Sequence, residues 1–203
     1  MATGTENKDI VLASASPRRR ELLKKIIPEF RVEPSRADEA GIPERDPVKF
    51  ALAAAVLKAR EVGKRFRSSL IIAADTVVAL DGRIFGKPAN RDDARKTLME
   101  LSGRKHRVIT AVALYRYRGH RLLARLETSY VRFRKLDGPV IEAYLDKGSY
   151  ADKAGGYAIQ EVRDSFVEAL EGDYDNVVGL PVDLVKKMSA AFTSAYSRPH
   201  NVA

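Results

Sequence analysis

Residues 70–80 read LIIAADTVVAL, a run in which Asp75 and Thr76 interrupt otherwise apolar residues. The run is rich in β-branched residues and ends at Asp81-Gly82, a turn dipeptide that sends the chain back into Arg83 to Phe85. It reads as a buried strand with its partner beside it. A carboxylate in such a strand must be solvated in a cleft, paired, or bound to a metal. Thr76 beside it and Lys87 in the following "GKP" suggest that the strand end and the hairpin face one pocket. A purely structural ion pair remains the other reading of Asp75.

On the N-terminal side, Ile10 to Ala13 reads as a short buried strand, followed by Ser16 as N-cap and Pro17 at the first helical position. Leu22, Leu23, Ile26 and Ile27 then make one apolar helical face up to Pro28. A short strand near Phe30 to Val32 leads into a polar loop with Asp38 and Glu39. Asp46-Pro47 opens an Ala-rich helix through about Phe66, and Lys58 lies among its alanines. On the C-terminal side, Asn90 caps a helix that carries Asp92 and Asp93 in its first turn and Gly103 after its end. A long hairpin follows, about residues 107–117 and 122–133, joined near Gly119. Asp137 and Pro139 start a short helix closed by Gly148. "GSYADKAGGYAIQ" reads as turns leading into a strand-like Tyr157 to Gln160, and a further strand follows near Ser165 to Leu170. "GDYDNVVGLP" reads as a loop before a last helix, Val182 to about Phe192. No repeat or linker composition breaks the chain. It is expected to form one domain over residues 9–193, with 1–8 a flexible N-terminus and 194–203 a frayed tail.

At 203 residues, with 45% hydrophobic and 31% charged residues, the chain has the composition of a globular protein able to bury a core. It has no cysteine, which excludes disulfides, thiolate metal sites and cysteine nucleophiles and fits a reducing cytoplasm. No stretch approaches the ~20 apolar residues of a membrane span, and Met1 to Lys8 lacks the apolar core of a secretory signal. The net charge of +9 favours anionic partners. His106, His120 and His200 lack metal-ligand spacing, and neither a Gly-x-Ser-x-Gly elbow nor a P-loop occurs. The alternating "YRYRGHR" and "VRFRK" of the hairpin would suit a nucleic-acid platform, but half-exposed strands alternate in the same way, and that reading is preferred.

Further polar candidates lie elsewhere along the chain. In "LASASPRR", residues 12–19, the helix N-terminus leaves N–H groups free for an anion, and Ser14, Ser16, Arg18 and Arg19 add donors suited to phosphate oxygens. An ordinary capped helix with solvated arginines is the competing reading. Glu39, with Asp38, could give hard oxygen ligands to Mg²⁺ or Mn²⁺, although acidic loop pairs are commonly just solvated. Lys58 in its apolar helix is harder to explain as a surface residue than Lys87. "DKAGGYAIQ" supplies Asp152 and Lys153, two glycines allowing close backbone approach, and Gln160, whose amide can pair with a base edge.

Taken in order, "LASASPRR", "DE" at 38–39, "KA" at 58–59, "AADTVV", "GKP", "LSGRKHRVITAVAL", "DKAGGYAIQ" and "NVVGLP" resemble the Maf family of nucleoside triphosphate pyrophosphatases from about residue 10 to 190. The resemblance implies an α/β fold: a mixed sheet with flanking helices forming two lobes around a deep cleft, related to inosine triphosphate pyrophosphatases. It also implies a homodimer, a divalent metal cofactor, and cleavage of a nucleotide between its α and β phosphates. Asp75 then corresponds to the catalytic base, and Arg18, Thr76 and Gln160 to substrate-discriminating positions. Ser14, Arg19, Glu39, Lys58, Lys87, Asp152 and Lys153 match other polar positions around the cleft; by their own chemistry Ser14, Ser16, Arg19, Lys58, Lys87 and Lys153 would bind phosphate, and Glu39 and Asp75 would carry the Mg²⁺ or Mn²⁺. Arg18 after Ser-Pro, together with "DKAGGYAIQ", resembles the branch acting on dTTP and UTP. A nucleotide- or partner-binding regulator of cell division is the alternative; the presence of Asp75, Lys58 and Lys87 argues against a catalytically dead binder.

Overall fold

The computed structural model describes residues 10–194, so the expectations for residues 1–8 and for the tail after Ser194 lie outside the described residues. In chain order the elements are β1 (Ile10–Leu12), α1 (Pro17–Lys24), β2 (Arg31–Val32), α2 (Pro47–Arg65), β3 (Leu70–Leu80), β4 (Arg83–Phe85), α3 (Arg91–Leu101), β5 (Lys105–Arg116), β6 (Arg121–Phe133), α4 (Gly138–Leu145), α5 (Ile159–Phe166), β7 (Val167–Glu171), α6 (Tyr174–Val178) and α7 (Val182–Ser194). The seven strands form one mixed sheet in the order β2-β1-β3-β5-β6-β7, with β4 also on β3. The pairs β1/β2 and β1/β3 are parallel, and the rest are antiparallel. The expected mixed sheet with flanking helices is therefore what the chain builds.

Strand alternation sorts β3 onto two cores. Ile71, Ala73 and Val77 pack against Ala51, Ala55, Ala59 and Val62 of α2. Ile72, Ala74 and Val78 join the larger core with residues of α1, α3, α4, α5 and α7. Alanine on both α2 and the strands lets that helix lie close to the sheet; a Cβ at Gly63 would stand 2.6 Å from the Tyr115 ring. The predicted caps hold: Ser16, Asp46, Asn90 and Asp137 each accept main-chain N–H bonds at the start of their helices.

Two segments differ from expectation. Tyr157 to Gln160 is not a strand, because Ile159, Val162 and Phe166 fall at helical spacing and bury one face of α5. The "GDYDNVVGLP" loop contains α6, started by Asp173, whose side chain accepts from the N–H of Asp175.

One edge of β3 positions the site. β1 pairs with Leu70 to Ile72, and β4 pairs with Val78 to Leu80, both on the same edge. Between them, residues 73–77 pair only with β5 on the opposite edge. The sheet has an opening there, and Asp75 and Thr76 stand in it.

Candidate active site

A cleft of about 600 Å³ opens at this break in the sheet, lined by the loop after β1 and the start of α1, β3, the loop after β4, the 152–160 segment and Gly179. Because Asp75 and Thr76 are consecutive on a strand, their side chains leave it toward opposite faces, and each face supplies its own partners.

On the α2 face, Lys58 Nζ lies 2.6 Å from Asp75 Oδ1 and 3.0 Å from Glu39 Oε2. Asp75 is 7% exposed, so this ammonium provides the pairing that a buried carboxylate requires. Lys58 reaches it from α2, and Glu39 from the loop that precedes that helix.

On the other face, Arg19 turns back from the first turn of α1 into the cleft. Its Nε donates to the Gly179 carbonyl at 2.9 Å, Nη2 to Thr76 Oγ1 at 3.0 Å and Nη1 to Ser14 Oγ at 3.4 Å. Burial pushes the Arg19 guanidinium below its ordinary pKa, and the Asp75 carboxylate opposes that shift. Ser16 caps α1, accepting from the N–H of Arg19, and Ser14 accepts from the N–H of Ser16. Arg18 reaches Asp152 at 3.7 Å. Arg20 is exposed.

The 152–160 segment closes the third side. Lys153, 7% exposed, donates to Asp152 at 2.6 Å and to the Ser149 carbonyl, with Glu161 at 3.8 Å. Asp152 is held below its usual range mainly by Lys153 and Arg18, which outweigh its partial burial. Gly155 seats the segment. Its N–H donates to the Gly86 carbonyl, its φ is +70°, and a Cβ there would meet Val78 at 2.9 Å. Gln160 is exposed in the first turn of α5 and faces the cleft, as does Lys87 on its rim.

A Maf-like protein family model matches residues 9–192. The chain belongs to the Maf family. Similar proteins include the "dTTP/UTP pyrophosphatase" of Pyrococcus furiosus, 43% identical over 89% of this chain and 94% of that one. Another, of the same name, is from Thermococcus kodakarensis, 44% identical over 93% of this chain and all of that one. Among solved structures, the Staphylococcus aureus Ham1 protein matches with a TM-score of 0.56 at 12% identity, covering 91% of this chain and all of that one, a likeness of fold.

In this Maf chain the cleft gathers twelve of the residues singled out from the sequence: Ser14, Ser16, Arg18, Arg19, Glu39, Lys58, Asp75, Thr76, Lys87, Asp152, Lys153 and Gln160. Asp38 does not join them; it is exposed and accepts from the N–H of Ala40. Sequence reasoning missed Thr110, Asn176 and Ser129, all 0% exposed, which hydrogen-bond to one another behind Thr76. The available signal was a threonine inside the apolar "VITAVAL"; its register opposite Thr76 is a property of the folded sheet.

The donor set suits a divalent cation. Two carboxylates, Asp75 and Glu39, converge on one ammonium, and Mg²⁺ commonly takes one or two protein carboxylates with water and substrate phosphates completing its shell. Among the described residues no group of three or more acidic, histidine or cysteine side chains could hold a metal alone.

Proposed function

We propose that the chain hydrolyses dTTP and UTP to the nucleoside monophosphate and pyrophosphate. The relatives named for that activity support the substrate. The observation that carries the chemistry is Asp75: a carboxylate in the sheet opening, gripped by Lys58 at 2.6 Å, in the same cleft as Arg18, Arg19, Lys87 and Lys153.

In this reading Arg19, Arg18 and the N–H groups at the start of α1 bind the phosphates, with Lys87 and Lys153 opposite. Asp75 orients a water for in-line attack on the α-phosphorus and takes its proton as the new P–O bond forms and the bond to the β-phosphate oxygen breaks. Lys58 holds the carboxylate in its rotamer. Lys87 and Lys153 neutralise the charge that grows on the departing pyrophosphate. Asp75 and Glu39 would hold Mg²⁺ or Mn²⁺, which when bound would supply Lewis-acid charge to the phosphates. Gln160 presents an amide able to pair with the O4/N3–H edge of uracil or thymine. The absence of cysteine supports a cytoplasmic setting, and the family resemblance supports a single domain working as a homodimer. No described helix is long and apolar enough to cross a membrane.

The test is a panel of nucleoside triphosphates with Mg²⁺ or Mn²⁺, resolving monophosphate plus pyrophosphate from diphosphate plus phosphate. Pyrophosphate from dTTP and UTP, reduced by on the order of 10²–10⁴-fold in Asp75→Asn, is expected. No turnover by folded protein would return the chain to the binding readings.

A further inference from the structure

Behind the cleft wall a chain of hydrogen bonds runs from Arg19 into the sheet. Arg19 Nη2 lies 3.0 Å from Thr76 Oγ1, Thr76 Oγ1 lies 2.9 Å from Thr110 Oγ1, and Thr110 Oγ1 lies 2.9 Å from the Asn176 carbonyl. Its direction is dictated by its ends, since a guanidinium only donates and a carbonyl only accepts. Thr110 gives its single proton to Asn176, so toward Thr76 it accepts. Thr76 gives its proton to Thr110 and accepts from Arg19. The other acceptor near Thr76, the Gly179 carbonyl, is 3.5 Å away and already takes Arg19 Nε at 2.9 Å.

The inner end of this chain is anchored. Asn176 Nδ2 donates to the Val108 carbonyl and to Ser129 Oγ, both at 3.0 Å, and Ser129 donates to the Asp173 carbonyl at 2.8 Å. Thr110, Ser129 and Asn176 are all fully buried. The chain therefore ties a mobile type of side chain, arginine, to a frame made by β5, β6 and α6.

We propose that Thr110 is a positioning residue for the nucleotide site: by taking the Thr76 hydroxyl proton it makes Thr76 a standing acceptor that holds the Arg19 guanidinium in place. The arrangement also sorts ligand atoms. Thr76 has no proton left for a phosphate oxygen, so phosphate goes to the two Nη hydrogens of Arg19 that the contacts to Gly179, Ser14 and Thr76 leave over. Ser14, which accepts from both Arg19 and the N–H of Ser16, keeps its own proton to donate into the cleft.

The kinetic arm of the test rests on the pyrophosphatase reading, and a nucleotide-free arm does not. Thr110→Val keeps the shape and removes the hydroxyl, while Thr110→Ser keeps the hydroxyl. Thr110→Val is expected to raise KM for dTTP and UTP about tenfold with kcat within about threefold, because the lost contact aligns a ground-state grip. Thr110→Ser should return KM to within about twofold of wild type. In an Arg19→Ala background Thr110→Val should change KM by less than about twofold, a non-additivity that general loosening of the core would not produce. Without nucleotide, the Arg19 Nε–H signal in a ¹⁵N-resolved NMR spectrum should shift in Thr110→Val and stay in Thr110→Ser. Wild-type KM in Thr110→Val, equal damage from both substitutions, an undiminished effect in the Arg19→Ala background, or an unmoved Arg19 signal would each overturn the proposal. If wild-type protein released no pyrophosphate from any nucleotide, the functional reading would fall, and the Arg19 signal alone would decide the role of Thr110.

Discussion

His106 is 1% exposed, with Nε2 2.7 Å from the hydroxyl of Tyr157, a residue of the cleft lining, and its ring edge-on to Phe133. Burial lowers its pKa from 6.5 to about 4. The folded state thus favours the neutral ring, and the unfolded chain binds a proton first as pH falls. The stability this group contributes is fully present above about 6.5 and drains away between there and about 4, by about 3 kcal/mol in all. Urea midpoints at pH 7.5 and 4.5 should show the loss, and His106→Gln should flatten it; an unchanged slope would assign the acid sensitivity to other groups. At this same scale the sequence disclosed the charged and hydroxylic residues of the cleft, since Asp75 and Lys58 conflict openly with their apolar surroundings. It did not disclose Thr110, because a threonine is unremarkable in a strand and its meaning comes from the register that sets it opposite Thr76.

Among the elements, those with long periodic patterns and strong caps were legible: β3, α2, α3 and the β5/β6 hairpin stand where their residues place them. Asp46 illustrates why, accepting from the N–H groups of Val48 and Lys49. Asp46→Ala should cost about 1 kcal/mol in chemical denaturation. α5 and α6 were missed because eight and five residues carry little periodicity, and the β-like "YAIQ" stands at the start of α5. Tertiary burial of Ile159, Val162 and Phe166 decides the conformation there. The turn before α5 is equally constrained. Gly155→Ala forces a Cβ into the left-handed region and onto Val78, so about 1–3 kcal/mol of destabilisation is expected, together with a raised KM as Asp152 and Lys153 shift. A thermal melt and a substrate titration on the same sample test both; an unchanged melt would show that the segment relaxes away from β3.

For the molecule as a whole, a charge of +9 surrounds a cleft built for a polyanion, so kcat/KM for nucleoside triphosphates should fall several-fold as ionic strength rises from about 0.05 to 0.5 M. A flat response would confine the electrostatics to direct contacts. The order of strands was beyond the sequence, because nothing local says that β1 and β4 dock on the same edge of β3. That break in the sheet has a further consequence, in solvent exchange. Ile72 turns its carbonyl toward the N–H of Ala13. By strand alternation Thr76 points its own N–H and C=O the same way, into the break, while the amides of Asp75 and Val77 point toward β5. In deuterated buffer the Thr76 amide should lose its proton far sooner than its two neighbours, a fast-exchanging position at the centre of an otherwise buried strand. A nucleotide filling the cleft should slow that one amide and leave the flanking pair unchanged, so that a single proton reports occupancy without any chemistry taking place.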